Sequence, residues 1–401
     1  MKKLLLLLLC VPLIFTTCKK EEEIIIPPGW NFGGTNYDEG SSVQQTTDGG
    51  YIIVGTTEAI GNPEFPITGT PPDIYLIKTD GSGIEQWSQT FGGSGSEIGH
   101  YVQQTTDGGY IITGQTDSTE SGNGWDVYLI KTDGNGIEQW SQTFGGAGTD
   151  NGQSVQQTTD GGYIVAGSWL IKTDGNGNTE WINQDIHGYD VQQTTDGGYI
   201  ICGTTNSFGD GTWDVYLIKT DGSGIEQWTK TFGGGNDYYY GLSVQQTTDG
   251  GFIISGPTLF VDNNGNVYSD VYLIKTDGNG DSLWTKTFGG TDLEQSSSVQ
   301  QTTDGGYIIC GQTGPFGSED VYLIKTDGSG IEQWSKTFGG SGEDWGYSVQ
   351  QTTDGGYIIT GKTYPDPANQ DYPPSYSDVY LIKTDGNGNI TSEFTIPVNA
   401  K

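Results

Sequence analysis

Val43-Gln-Gln-Thr-Thr-Asp-Gly-Gly-Tyr51 is the first of seven nearly identical copies of one string in this chain of 401 residues. The Asp residues of successive copies are 36 to 59 residues apart, at Asp48, Asp107, Asp160, Asp196, Asp249, Asp304 and Asp354. Repeats with periods of this size are typical of propeller blades or of solenoid turns.

Each copy contains four segments with the composition of β-strands. In the first copy these are residues 42–47, 51–56, 73–79 and 84–91. Asp-Gly turns join the first strand to the second and the third to the fourth, because Gly accepts the positive φ that tight hairpins need. A variable loop joins the second strand to the third. Four antiparallel strands per repeat are typical of a propeller blade.

The second and third strands of each copy are apolar on consecutive residues, as in Tyr51-Ile-Ile-Val54 and Ile74-Tyr-Leu-Ile77. Both faces of such a sheet need to be covered, and blades stacked face to face supply that cover. The sequence therefore predicts an all-β fold, a seven-bladed β-propeller of four-stranded antiparallel blades, formed as one domain by residues 30–401. A solenoid is the alternative.

The first residues have the pattern of a secretion signal, with Lys2 and Lys3 before an apolar run. Residues 1–18 are predicted to be a lipoprotein signal peptide, because Thr16-Thr17-Cys18 resembles a bacterial lipobox, in which Cys18 would carry the lipid. Ordinary signal cleavage is the alternative, and Phe15 stands where such boxes usually have Leu.

Residues 19–29 are predicted to be a charged, Pro-containing linker. Residues 19–23 resemble the tether of surface lipoproteins in Bacteroidota; a solvated linker is the other interpretation. We expect a lipid-anchored protein of the outer membrane, exposed at the cell surface.

The formal net charge is −34, and the sequence contains no Arg. These two facts argue against nucleic acid, phosphate ligands and anionic surfaces as partners. We expect the membrane to be reached through the lipid alone and the protein to be a monomer.

Six of the seven copies carry a Trp in the fourth strand, beginning with Trp87, and we interpret these Trp residues as packing between blades. The seventh copy lacks this Trp, whereas an extra Trp30-Asn-Phe-Gly-Gly34 precedes the first copy. The sequence therefore predicts that the N-terminal segment completes the last blade and closes the ring.

Three further features repeat in every copy or occupy equivalent positions, and each has a structural interpretation. The pair Gln44-Gln45 predicts amide hydrogen bonds between blades near the central channel. Lys78 and its equivalents are expected to pair with a turn Asp. Cys202 and Cys310 are interpreted as small buried thiols, because equivalent positions in non-adjacent blades are out of disulfide reach.

The turn Thr79-Asp-Gly-Ser-Gly-Ile-Glu-Gln-Trp87 resembles the Asp-box of sialidases, although the spacing from Asp to Trp is longer. The absence of Arg excludes a sialidase. With Asp-Gly-Gly-Tyr and Tyr-Leu-Ile-Lys-Thr-Asp in its blades, the chain resembles secreted bacterial and archaeal propeller-repeat proteins over nearly its whole length. Members of that group are labelled lipoproteins, bulb-type-lectin-like proteins or endoglucanase-like proteins.

Few residues suggest catalysis. The two His residues, His100 and His187, each precede a first strand, and we interpret them as surface residues. A glycosidase needs only two carboxylates at a fixed separation, and 50 acidic residues make any pair unidentifiable. No catalytic residue and no organic cofactor is assigned.

Calcium is the metal we expect, if any is bound. Asp262, Asn264 and Asp270 offer clustered oxygen ligands, but their spacing does not match an EF-hand loop. An ordinary polar turn is the alternative.

The differences between copies gather in the loops at one end of the predicted blades. Gly167-Ser168-Trp169 replaces the variable loop in the third copy. Aromatic side chains lie among Asp, Asn and Gly in these loops and crossovers, a composition that suits sugar hydroxyls or protein contacts. The candidate ligand-binding residues are Trp125, Trp213, Tyr238, Tyr239, Tyr240, Trp345 and Tyr364.

From these features we expect a surface-anchored, non-catalytic binding or scaffold module for glycan or protein. The first alternative is a polysaccharide-active glycoside hydrolase, and the second is a purely structural surface protein. A hydrolase would place asymmetric acids at the mouth of the channel, and a binder would present a continuous aromatic patch. A structural protein would show neither.

Overall fold

The computed structural model describes residues 30–33, 37–58, 71–117, 124–206, 212–235, 237–261, 267–364 and 377–391. Every element in these ranges is a β-strand. The strands are β1 (Trp30–Phe32), β2 (Asp38–Gln45), β3 (Tyr51–Glu58), β4 (Pro72–Thr79), β5 (Glu85–Phe91), β6 (Glu97–Gln104), β7 (Tyr110–Thr116), β8 (Asp126–Thr132), β9 (Glu138–Phe144), β10 (Gly152–Gln157), β11 (Tyr163–Gly167), β12 (Leu170–Thr173), β13 (Thr179–Asn183), β14 (Asp190–Gln193), β15 (Tyr199–Thr205), β16 (Asp214–Thr220), β17 (Glu226–Phe232), β18 (Tyr238–Tyr239), β19 (Ser243–Gln246), β20 (Phe252–Val261), β21 (Val267–Thr276), β22 (Ser282–Phe288), β23 (Leu293–Gln301), β24 (Tyr307–Gly314), β25 (Asp320–Thr326), β26 (Glu332–Phe338), β27 (Asp344–Gln351), β28 (Tyr357–Thr363) and β29 (Asp378–Thr384).

The strands form an all-β propeller with four-stranded antiparallel blades around a central channel. Four blades follow chain order, namely β2-β3-β4-β5, β6-β7-β8-β9, β10-β11-β12-β13 and β14-β15-β16-β17. A fifth has the order β1-β29-β28-β27. The consecutive apolar residues predicted to need cover on both sides are buried, since Ile52, Ile53 and Val54 are each 0% exposed.

The prediction of seven separate four-stranded blades is wrong, because five four-stranded sheets stand alone and β18 to β26 form one nine-stranded sheet. The fusion has a local cause. Ser269 of β21 forms a single parallel pair with Leu293 of β23. The Ser269 hydroxyl also donates to the Glu294 carbonyl at 2.9 Å. β21 spans 10 residues rather than the 7 of β16, so its first residues reach the neighbouring sheet.

The predicted role of the strand-four Trp residues is confirmed. The ring of Trp87 lies 6.0 Å from the ring of Tyr110 in the next copy. A Cβ placed on Gly136 would lie 2.5 Å from Trp87, so the tight turn of the next copy packs on the same indole. Gly136 has a φ of 77°, which also favours Gly at this position.

The expected Lys–Asp pairs are confirmed and lie within one copy. Lys78 Nζ is 2.9 Å from Asp48 Oδ2, with the Lys side chain 4% and the Asp side chain 58% exposed. Lys78 also donates to the Thr79 carbonyl at 2.8 Å. Burial of the Asp48 carboxyl would raise its pKa, but hydrogen bonds from Thr46 and Lys78 lower that pKa to about 2. The pairs therefore join the two turns of each copy at the end of the sheet opposite the variable loops.

Cys202 and Cys310 are free and buried, as predicted. Burial raises the pKa of both thiols.

No helix in the described ranges is long and apolar enough to cross a membrane.

The predicted ring closure is confirmed, with a shift in register. β1 pairs antiparallel with β29, joining Phe32 to Val379 and Trp30 to Leu381. Phe32 thus takes the place that Phe91 has opposite Ile74 in the first blade. Trp30 does not stand opposite Lys383, the site that corresponds to the strand-four Trp residues; there the Thr391 N–H donates to the Lys383 carbonyl.

We expect deletion of residues 30–34 to lower the melting temperature sharply, because it opens an edge on β29 and removes Phe32 from the core between the first and last blades. Differential scanning calorimetry measures the effect. Replacement of Phe32 by Leu, which keeps an apolar side chain and the β1 backbone, serves as the control and should cost far less. An unchanged melting temperature in the deletion variant would refute closure through β1.

Candidate functional site

The innermost strand of each copy lines the central channel. Two cavities lie along it, of about 140 and 200 Å³. The larger is lined by residues at the start of the inner strands, including Ser41 and Ser42, and therefore lies toward the variable loops. The name channel mouth is used below for this larger cavity. The smaller one, called the throat, is lined by residues deeper in the same strands, including Val43 and Gln44.

One channel-lining position breaks the repeat. The residue before the Val of each inner strand is Ser in five copies, but it is Tyr101 in the second and Asp190 in the fourth. The Ser side chains connect neighbouring copies, as where the Val299 N–H donates to Ser243 Oγ at 3.3 Å. The two exceptions are the asymmetric features that sequence reasoning did not select.

Among the residues that the structure describes, Asp190 is the only acid that lines either cavity. Its Oδ1 accepts from Ser154 Oγ at 2.7 Å and from the Val191 N–H at 2.9 Å. Its Oδ2 accepts from the Val244 N–H at 2.9 Å. Burial raises the pKa of Asp190 to about 6, against the opposing effect of these donors. The carboxyl thus replaces the Ser hydroxyl as a link between copies.

Trp213, Tyr238 and Tyr240, three of the seven predicted rim aromatics, lie in segments of the fourth and fifth copies that are joined by backbone hydrogen bonds. The Tyr239 N–H donates to the Trp213 carbonyl at 2.7 Å, and the Tyr240 N–H donates to the Pro257 carbonyl. The Tyr239 ring turns inward, 5.1 Å from Tyr272. Trp213 and Tyr238 are 40% and 39% exposed.

Tyr189, which was not predicted, belongs to the same surface. It is 42% exposed and lines the channel mouth. It lies close enough to Tyr240 to raise the pKa of that phenol, after the larger effect of burial. The name tyrosine patch is used below for Tyr189, Trp213, Tyr238 and Tyr240.

Trp345 and Tyr364 lie in a second cluster, at the seam between the last and first copies. Lys362 Nζ is 3.8 Å from the Trp345 ring centroid and 5.3 Å from that of Tyr364. The same amine donates to Tyr37 Oη at 3.4 Å, and Tyr37 in turn donates to Glu39 at 2.7 Å. Burial lowers the pKa of Lys362. These aromatic faces therefore surround an ammonium of the chain itself.

Trp125 lies apart from both clusters. It is half-buried, and its carbonyl accepts from the Asp150 N–H. Among the described residues, no ring contact or hydrogen bond joins its side chain to the tyrosine patch or to the Lys362 cluster. Three of the seven predicted residues thus contribute to the patch, Tyr239 supports it from below, and the other three lie elsewhere.

The surface interpretation of His100 is wrong, whereas that of His187 is confirmed. His100 lies in β6 and is half-buried. Burial lowers its pKa to about 4, which leaves the ring neutral near pH 7. His187 is exposed, and its Nδ1 contacts the Ser168 carbonyl of the shortened third copy.

Of the predicted calcium ligands, Asp262 and Asn264 lie outside the described residues. Asp270 is the first acid of a junction between copies. A Cβ on Gly289 would lie 2.1 Å from Asp270 Oδ1 and 2.9 Å from Glu294 Oε2, so the two carboxyls converge there. The described ranges contain no group of three or more His, Cys, Asp or Glu residues that could hold a metal.

No family model matches the chain, and a comparison with curated proteins finds no match. The chain is similar in structure to the Pan2 WD40 domain of Neurospora crassa, with 11% identity, a TM-score of 0.54, and coverage of 88% of this chain and 91% of that one. It is also similar to an α-L-arabinanase of Penicillium chrysogenum complexed with arabinobiose, with 9% identity, a TM-score of 0.51, and coverage of 89% and 97%. At these identities the likeness shows the fold alone.

Substitutions at Asp190 test its role as a link. Asp190→Ser restores the residue of five other copies and should fold well, whereas Asp190→Ala leaves the Val244 N–H without an acceptor and should cost about 1–3 kcal/mol. Because the folded pKa is raised, the carboxyl stabilises the protein below about pH 4, and this contribution is lost as the pH rises through about 6. Asp190→Ser should therefore gain stability relative to the parent over that window.

Urea denaturation of both proteins between pH 4 and 7 measures the difference between their free energies of unfolding. The titration of all other groups is the same in both proteins and cancels in this difference. Parallel pH profiles for the parent and Asp190→Ser would contradict a raised pKa at Asp190.

Proposed function

We propose that this protein is a non-catalytic binding module, held at the cell surface by a lipid on Cys18. The module binds a glycan on the side of the ring that carries the variable loops. We further propose that the ring contains seven blades, with two of them in the nine-stranded sheet. Four strands of that sheet, β23 to β26, follow the order of the separate blades.

The observation that carries the binding proposal is the tyrosine patch beside the channel mouth. Exposed aromatic faces stack on sugar rings, and the adjoining mouth offers hydroxyls from Ser243, Ser298 and Ser348. Aromatic side chains that combine an apolar face with a polar edge are also the usual anchors of binding surfaces. The patch lies in segments that differ between copies, outside the repeated residues that build the ring.

A glycoside hydrolase is the second candidate, and Asp190 is the observation in its favour, as an asymmetric acid with a raised pKa in the channel. Two features weigh against it. Both oxygens of Asp190 accept hydrogen bonds from the protein. No second acid from the described part of the chain lines the mouth or the throat, whereas glycoside hydrolysis in most families requires two carboxyl groups.

The function is tested with residues 30–401 on a panel of polysaccharides, scored both for retention and for release of reducing sugar. We expect retention without release. Trp213→Ala combined with Tyr238→Ala should weaken retention about tenfold or more, since truncation of an anchoring aromatic costs roughly 2 kcal/mol or more. Phe316→Ala is the matched control, because Phe316 is 90% exposed but lies outside the patch.

Release of sugar would overturn the binding proposal in favour of the hydrolase. Absence of retention on every polysaccharide would favour a protein partner or a purely structural role.

The anchor has its own test. Cells that express the full chain and grow on a labelled fatty acid should incorporate label into the protein, and Cys18→Ala should abolish it. Cys10→Ala is the matched control, because Cys10 lies inside the apolar run. Equal labelling of the Cys18→Ala variant would contradict the assignment of Cys18.

A further inference from the structure

The throat of the channel is surrounded by seven Gln side chains, one from the inner strand of each copy. In every copy the side-chain oxygen accepts a hydrogen bond from the backbone N–H of the following copy's second Gln, at 2.5 or 2.6 Å. The seven residues are Gln44, Gln103, Gln156, Gln192, Gln245, Gln300 and Gln350, and all line the cavity of about 140 Å³.

These hydrogen bonds decide which way each amide points. A backbone N–H can only donate, so the atom facing it has to be the amide oxygen. The amide nitrogen is then the group that each Gln offers to the throat. Within the described ranges, no protein acceptor takes a hydrogen bond from any of these seven nitrogens.

The second Gln of each pair occupies a different position and does not line the throat. Gln246, for example, accepts from the Thr195 N–H of the preceding copy at 2.9 Å and does not line the throat. Gln45 uses its amide nitrogen within its own turn, donating to the Gly49 carbonyl. Among the residues that the structure describes, only the first Gln of each pair lines the throat.

A ring of N–H donors selects a ligand that accepts hydrogen bonds. We infer that the throat binds a small monovalent anion of the halide class, held by the Gln amide groups. The cavity has room for a halide ion with a few waters, whereas the polar lining is too confined for an extended chain.

Two charges oppose this binding. The net charge of −34 lowers the local concentration of every anion, so we expect millimolar affinity that is measurable at moderate ionic strength. Asp190 lies in the layer above and is the one acid that lines the throat. Its oxygens already accept hydrogen bonds from Ser154, Val191 and Val244, so it does not compete for the Gln amides.

The test combines diffraction with NMR on the full chain. Crystals soaked in sodium bromide should show an anomalous peak on the channel axis, within hydrogen-bonding reach of several Gln Nε2 atoms. In solution, chloride binding should broaden the ³⁵Cl resonance. An ordered water cluster without an anomalous peak, or bromide found only on the outer surface, would overturn the inference.

Gln245→Glu separates donor chemistry from structure. The new carboxylate still accepts from the Gln301 N–H, which is now 2.6 Å from the Gln245 oxygen, but it presents an oxygen where the NH₂ group was. We expect chloride binding to weaken about tenfold, as for the loss of one hydrogen bond to a charged group. Gln246→Glu makes the same change in net charge outside the throat and should leave chloride binding nearly unchanged.

Asp190→Ser provides a second variant that keeps the ring of amides intact. Removal of the neighbouring negative charge should strengthen chloride binding severalfold. Equal broadening in all three variants and the parent would show that the halide does not bind at the throat.

Discussion

The amide relay between inner strands is the interaction on which the rest of this molecule depends. Each first Gln accepts from the following copy, and each second Gln accepts from a Thr N–H of the preceding copy, so every inner strand is tied in both directions. The relay passes through the closure as well, where Gln350 accepts from the Gln45 N–H and Gln45 accepts from the Thr353 N–H. Because an inner strand has no β-ladder partner toward the channel, these side chains satisfy backbone groups that would otherwise face a narrow polar space.

Outward from the relay, the copies repeat the same kinds of contact. The buried Lys joins two turns through an exposed Asp, and the strand-four Trp packs on the Tyr of the next copy. Large aliphatic side chains then fill the space between neighbouring sheets. These contacts recur from copy to copy and build the ring. The proposed glycan surface, in contrast, lies where the copies differ.

The sequence could predict most of the fold, because a residue that recurs seven times in register has the same neighbours each time. The strands, the Lys–Asp pairs, the packing of Trp and the closing strand β1 follow from that argument. The fusion of two sheets could not be predicted in this way, because it depends on a single residue pair, Ser269 with Leu293, at the end of an elongated strand.

The candidate site was predicted only in part. The rim aromatics were chosen by their position in loops, and loop position does not show which aromatic rings lie close together. Trp125 and Trp213 look alike in sequence and lie in different surroundings. Tyr101, Tyr189 and Asp190 were missed although they stand in the inner strands or directly before one. Comparison of the residue before each channel Val would have found Tyr101 and Asp190, since Ser occupies that position in the other five copies.

The direction of β1 bears on the orientation that the proposed lipid anchor would give the molecule relative to a membrane. β1 runs antiparallel to β29, and β29 runs from the variable loops toward the Asp-Gly turn at Asp385. The chain therefore enters β1 from the side of the Asp-Gly turns. With the proposed lipid only eleven residues before residue 29, the ring would rest with that side toward the lipid surface. Its tyrosine patch would then face away from the membrane, toward the solvent from which a ligand arrives.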